Sequence, residues 1–146
     1  MPIDINLTGV EKTANKKTSL AENSDTFYPT QKAVKTAVDA LLNARVQTVT
    51  SSATVTATST NDIVTITAQA EALTLANPTG TFTEGQSLIF RIKDNGTART
   101  IGYGTSFRTI GVTAPTTTIA NKTTCIGCIY NATDSKFDII GVCTEA

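Results

Sequence analysis

The chain has 146 residues, enough for one packed core with an extension and too few for two independent cores. Its twelve basic and twelve acidic residues cancel and are spread evenly along the chain, so no part carries the basic field that nucleic acid or an anionic membrane demands. Histidine and tryptophan are absent, and three cysteines, an odd number, argue against a disulfide framework.

No run after Met1 resembles a signal peptide, and no stretch approaches the roughly 20 apolar residues of a membrane span. This predicts synthesis in a cytoplasm and no membrane insertion. Residues 1–23 are polar, with scattered apolar positions at Ile3, Ile5, Leu7, Val10 and Leu20. Such a segment cannot build a core and is expected to be extended, ordered only on a partner. The alternation of Ile3, Ile5 and Leu7 suits addition to the edge of a neighbour's sheet.

A helix is expected over 28–45, within a segment 24–45. Pro29 suits a first turn, Thr30 offers a capping hydroxyl, and neither glycine nor proline follows until Pro78. Val34, Ala37, Val38, Leu41 and Leu42 recur at helical spacing and form one apolar stripe. Lys32, Lys35, Thr36, Asp39 and Asn43 lie off it. A helix of this length, about 25 Å, is marginal alone in water. Its stripe must pack either on the rest of the chain or, as favoured here, on copies of itself.

From Val46 onward the composition changes: 24 of the 30 threonines lie there, interleaved with valine, isoleucine and alanine, as suits a pleated, half-buried surface. Strands are expected at 47–58, 63–68, 72–76, 87–93, 97–103, 106–110, 123–130 and 136–143, with turn chemistry at 77–80, 94–96 and 131–135. The spacing fits an antiparallel β-sandwich or jelly-roll-like head of about eight strands over 46–146. In the last two strands apolar residues fall on both faces, Ile126 against Ile129 and Ile139 against Ile140. These strands should be central or covered by another subunit.

Cys125 and Cys128 form a C-x-x-C, but strand residues three apart face opposite ways, about 10 Å apart, which forbids a shared tetrahedral metal. They are expected to be buried, metal-free thiols. Around a hairpin centred on Thr133, Cys143 falls diagonal to Cys125, a placement that leaves a disulfide open while direct opposition is not expected. The carboxylates are scattered in turns and on outward positions, where they serve solubility. No nucleophile–base pair stands out, so neither a catalytic role nor a cofactor is expected. The stretch 102–108 sets Tyr103, Phe107 and Arg108 among glycines. A sugar would stack on either ring and bond to Arg108; the alternative is that these aromatics serve the core or a subunit contact.

The segments VEKTANKKTSL (10–20) and SDTFYPTQKAVK (24–35), followed by Ala37-Val38-Asp39, resemble a segment of tailed-bacteriophage tail-fibre and head-fibre proteins. GQSLIFRIKDNGTART (85–100) is similar to a β domain that ends many phage fibre and receptor-binding proteins. Phe107-Arg108, Pro115-Thr116-Thr117-Thr118, Ile129-Tyr130-Asn131 and Phe137-Asp138-Ile139 extend the likeness. Phe27 departs from it, standing where these proteins usually have lysine. The resemblance implies a homotrimer held on capsid or tail proteins by its N-terminal part, with the distal domain facing the host. The expectation is therefore a short virion fibre, a head fibre or decoration before a long tail fibre. Virion attachment then falls to Ile3, Ile5, Leu7 and Val10. The alternative is a carbohydrate-binding module that recognises a host surface glycan.

Overall fold

In the computed structural model, which describes residues 16–17 and 28–146, Thr30 caps the expected helix: its hydroxyl accepts from the Ala33 N–H at 3.1 Å. The helix α1 (Gln31–Leu42) is shorter than 28–45 because Asn43 turns to extended backbone, with φ −89° and ψ 136°. Two short strands precede it, β1 (Lys16–Lys17) and β2 (Tyr28–Pro29), paired in parallel. Pro29 therefore sits before the cap, not inside the first turn. The attachment residues Ile3, Ile5, Leu7 and Val10 lie outside the described residues. The chain divides into two units, Met1–Asn43 and Ala44–Ala146.

The second unit is almost wholly β. It contains β3 (Val46–Val49), β4 (Thr54–Val55), β5 (Ile63–Gln69), β6 (Leu73–Leu75), β7 (Ser87–Asp94), β8 (Ile101–Tyr103), β9 (Phe107–Thr109), β10 (Thr123–Asn131) and β11 (Lys136–Thr144). Six strands form one sheet in the order β3-β5-β7-β10-β11-β9, and three form another in the order β4-β6-β8. The expected single strand over 47–58 is thus two, belonging to different sheets. The intervening Ser51-Ser52 lets the chain turn the corner: the Ser52 hydroxyl donates to the Thr54 carbonyl at 2.7 Å.

The antiparallel expectation is corrected. β7-β10 and β10-β11 run antiparallel, whereas β3-β5, β5-β7, β4-β6, β6-β8 and β9-β11 are parallel. The cause is the path of the chain, which visits the two sheets alternately from β3 to β8. Each visit to the small sheet is a crossover that returns the next strand in the same direction.

Both sheets contribute to one core. Val64, Ile66, Leu88, Phe90, Ile92, Ile126 and Ile139 from the large sheet join Val55, Leu73, Leu75 and Ile101 from the small one. On β7, Leu88, Phe90 and Ile92 are fully buried while Ile89 and Arg91 are exposed, the alternation its sequence predicts. Removing the Phe90 ring would cost about 3–5 kcal/mol by the usual cavity penalty. β10 and β11 are both interior to their sheet, as expected. Ile126 and Ile139 face the core, while Ile129 and Ile140 are 37% and 49% exposed on the other side.

Polar side chains complete the interior. Gln69, fully buried, donates from Nε2 to the Ser52 and Glu71 carbonyls at 2.9 and 2.7 Å and accepts from the Ser52 N–H at 3.3 Å, tying two successive crossovers together. Asp94 departs from the solubility role expected of turn carboxylates: it is 2% exposed. It accepts from the Thr118 hydroxyl at 2.6 Å and from the Gly96 and Asn121 amides at 2.7 and 3.3 Å. Burial pushes its carboxyl up, but these three donors, with Arg99 nearby, outweigh burial and hold it below the ordinary value.

Candidate functional site

The stretch around Tyr103 lies where β8 leaves the small sheet and β9 joins the large one. Gly104 makes the passage possible. Its N–H donates to the Leu75 carbonyl at 2.8 Å, and a Cβ there would lie 2.6 Å from the Asn77 nitrogen. Asn77 holds the turn from the other side, accepting from the Ser106 N–H at 2.8 Å. β9 then pairs in parallel with β11, Phe107 beside Phe137, Arg108 beside Asp138 and Thr109 beside Ile139.

That register brings the three singled-out residues, Tyr103, Phe107 and Arg108, to one open cavity of about 450 Å³, with Thr109, Ala114, Lys136 and Ile139 completing the wall. The rings are anchored. Phe107 stands edge-on to Phe90 and Tyr103, with centroids 5.8 and 6.0 Å apart, and lies 5.8 Å from Phe137. The Tyr103 hydroxyl donates to the Pro115 carbonyl at 2.8 Å, and burial pushes its phenol well above the usual value.

Arg108 is fully engaged. Nε and Nη2 donate to the two Asp138 oxygens at 2.7 and 3.1 Å, and Nη1 donates to Asp134 at 2.9 Å. The guanidinium pKa is raised by these partners, and the Asp138 carboxyl is held low chiefly by the Arg108 hydrogen bond. Lys136 Nζ donates to the Thr105 carbonyl at 2.8 Å. The cavity therefore offers aromatic and aliphatic walls, with Arg108 matched by carboxylates and Lys136 bonded to a neutral carbonyl at its rim. Both readings of the stretch have a counterpart here, since the aromatics serve the core and also line a recess. Lys136 and Ile139 could be assigned to the recess only by knowing that β9 and β11 are parallel neighbours.

The residues of the expected apolar stripe all lie on α1. Val34, Val38, Leu41 and Leu42 are 42%, 45%, 85% and 78% exposed, and Ala37 is half-buried. The off-stripe pair Lys35 and Asp39 forms an exposed i, i+4 ion pair at 2.8 Å.

Of the cysteines, Cys128 is buried, its thiol pushed up to about 12 by burial, and Cys125 is half-buried on the opposite face of β10. The diagonal placement of Cys143 is corrected: it pairs directly with Cys125. The turn and a bulge each supply one residue of the difference: Asn131 pairs with Lys136, which centres the hairpin beyond Thr133, and Gly127 pairs with Gly141 but Cys128 with Ile139, so Ile140 is an extra residue that shifts the register beyond it. Among the described residues there is no group of three potential metal ligands, and no helix is long and apolar enough to cross a membrane.

Compared with models of protein families, with curated proteins and with solved structures, the chain matches none of them.

Proposed function

We propose that this protein is a non-enzymatic structural subunit of a tailed-phage particle, a short homotrimeric fibre. In this reading 1–23 docks on a capsid or tail protein, α1 forms the trimeric stem, and the β unit is a two-sheet sandwich carried as the head. The observation that supports it best is the exposed apolar stripe of α1. A twelve-residue helix with Leu41 and Leu42 about four-fifths exposed is marginal in isolation and gains stability by burying that stripe against identical helices. The phage assignment itself rests on the resemblance of 10–35 and 85–100 to fibre proteins.

Deletion of 1–23 tests the polarity of attachment. The truncated chain should remain a folded oligomer and fail to join particles. Incorporation at wild-type occupancy would place attachment in the head instead.

A second reading, glycan recognition by the head, is favoured by the cavity beside Tyr103 and Phe107. Its rigid aromatic wall suits the apolar face of a sugar ring. Glycan-array binding by the full chain that is lost in Thr109→Trp, which fills the recess, supports this reading. An array without signal reduces the head to a structural role.

A further inference from the structure

We propose that Cys125 and Cys143 form a reversible disulfide that fastens the C-terminal strand to the middle of the large sheet. Three features of the geometry carry it. First, the two residues are direct partners across β10 and β11. The Glu145 N–H donates to the Thr123 carbonyl at 2.9 Å, and counting two residues inward makes Cys125 and Cys143 a hydrogen-bonded pair as well. Such pairs hold their Cα atoms about 5.5 Å apart, inside the ~4.4–6.8 Å span of disulfides. Both side chains point to the face away from the core, because Thr124, Ile126 and Cys128 take the inner positions of β10.

Second, the strands are free to close on each other at this point. The next pair on the same face is Gly127 and Gly141, which puts no side chain beside the cysteines, and nothing lies within 4 Å of where a Cβ on Gly141 would stand. β9 pairs with β11 only as far as Ile139, so beyond the bulge that edge of β11 is open, and past the strand's end Glu145 is tied to Lys93 of β7 at 2.9 Å. That freedom matters, because a hydrogen-bonded pair separates its Cβ atoms more than the ~3.8 Å of a relaxed disulfide. Closure draws the strand end inward, and the resulting bond is strained and readily reduced, as regulatory disulfides are.

Third, access is asymmetric. Cys143 is exposed and meets an oxidant first; Cys125 is half-buried, its thiol raised by burial and then by Cys143, which Arg91, its partner on β7, offsets only in part. With a low-molecular-weight disulfide such as oxidised glutathione, the Cys143 thiolate attacks one sulfur, forming a mixed disulfide and expelling one glutathione thiolate. The Cys125 thiolate then attacks the Cys143 sulfur, forming the protein disulfide and expelling the second. The two cysteine protons end on the two released thiols, so glutathione disulfide is reduced as the pair is oxidised. Cys128, on the core side, takes no part. A bond of this kind stays open in a reducing cytoplasm and closes once the protein leaves it.

The test is to treat the full-length chain with oxidised glutathione, denature it without reductant, and alkylate with iodoacetamide. Wild-type protein should fall from three alkylated cysteines to one, lose two hydrogens in intact mass, run as a single chain on a non-reducing gel, and recover all three sites after dithiothreitol. Cys128→Ala should fall to none. Cys125→Ala should stop at the Cys143–glutathione mixed disulfide, leaving one alkylated site and a bound glutathione that dithiothreitol removes, whereas Cys143→Ala should keep both remaining sites; Cys143 is exposed, so its replacement leaves folding intact. Three alkylated sites in oxidised wild-type protein, a glutathione adduct that persists on the wild-type chain, or chain-to-chain crosslinks would each overturn the proposal.

Discussion

Arg45 and Asp62 clasp each other where the chain enters the β unit. Arg45 Nε and Nη2 donate to the Asp62 carboxylate at 3.1 and 2.6 Å, and the Arg45 N–H donates to it at 2.9 Å. The Asp62 N–H returns a bond to the Arg45 carbonyl at 2.8 Å. Three of these four bonds involve an ionised group, and the side chains are only partly exposed to screening, 45% and 28%. The clasp fixes the residue before β3 to the loop before β5 and so sets the parallel register of Val46 against Ile63.

Asp62→Ala should therefore loosen β3 more than the rest of the β unit. Amide exchange at 46–49 is expected to quicken at least tenfold while the β10 and β11 amides are unchanged. Uniform protection across both sets would show that β3 is held by its ladder alone.

The Asp94 cage predicts a larger effect. Asp94→Ala removes the acceptor for the Thr118 hydroxyl and for two amides, and should cost about 3 kcal/mol in urea unfolding, the scale of orphaning several buried donors. The acid limb follows from the signs. Asp62, Asp94 and Asp138 all have lowered folded values, so their contribution is complete above the ordinary carboxylate range and is lost as pH falls through those values, below about 4. In Asp94→Asn the acid loss should be shallower than in wild type; a parallel curve would remove Asp94 from the cause.

Much of this molecule is legible in its sequence. Alternation locates the strands, and Thr30 marks the helix start. Direction is not legible, because a period of two is the same in parallel and antiparallel pairs. The crossover through β4 is concealed by a threonine-rich run that reads as one strand. The pairing of Cys125 with Cys143 depends on the centre of the turn and on a bulged residue, Ile140; Gly127 and Gly141 flank the bulge, but glycine in a strand does not by itself say which residue is extra. The recess beside Phe107 shows the same division: its aromatics stand out in the sequence, but Lys136 and Ile139 reach it only through the parallel pairing of β9 with β11. The burial of Asp94 is hidden by the Asp-Asn-Gly turn in which it sits, a sequence that usually faces water.

Gly104 offers a check on the recess. Gly104→Ala forces a Cβ against the Asn77 backbone and should cost about 1–3 kcal/mol, the usual range for overpacking, while displacing the turn that carries Phe107. In a background with Tyr28→Phe and Tyr130→Phe, which leaves Tyr103 as the emitter, quenching of its fluorescence by acrylamide should rise in this variant if the recess opens. An unchanged thermal midpoint would mean that the Asn77 turn yields without cost.

Assembly through α1 is tested by sedimentation equilibrium of the full-length chain at micromolar concentration, alone and as Leu41→Asp. Wild-type protein should sediment with the mass of three chains, and the variant, which forces a charge into the apolar seam, should dissociate to one. A wild-type chain that sediments as a stable monomer, or a Leu41→Asp variant that stays trimeric, would contradict a stem built on Val34, Ala37, Val38, Leu41 and Leu42.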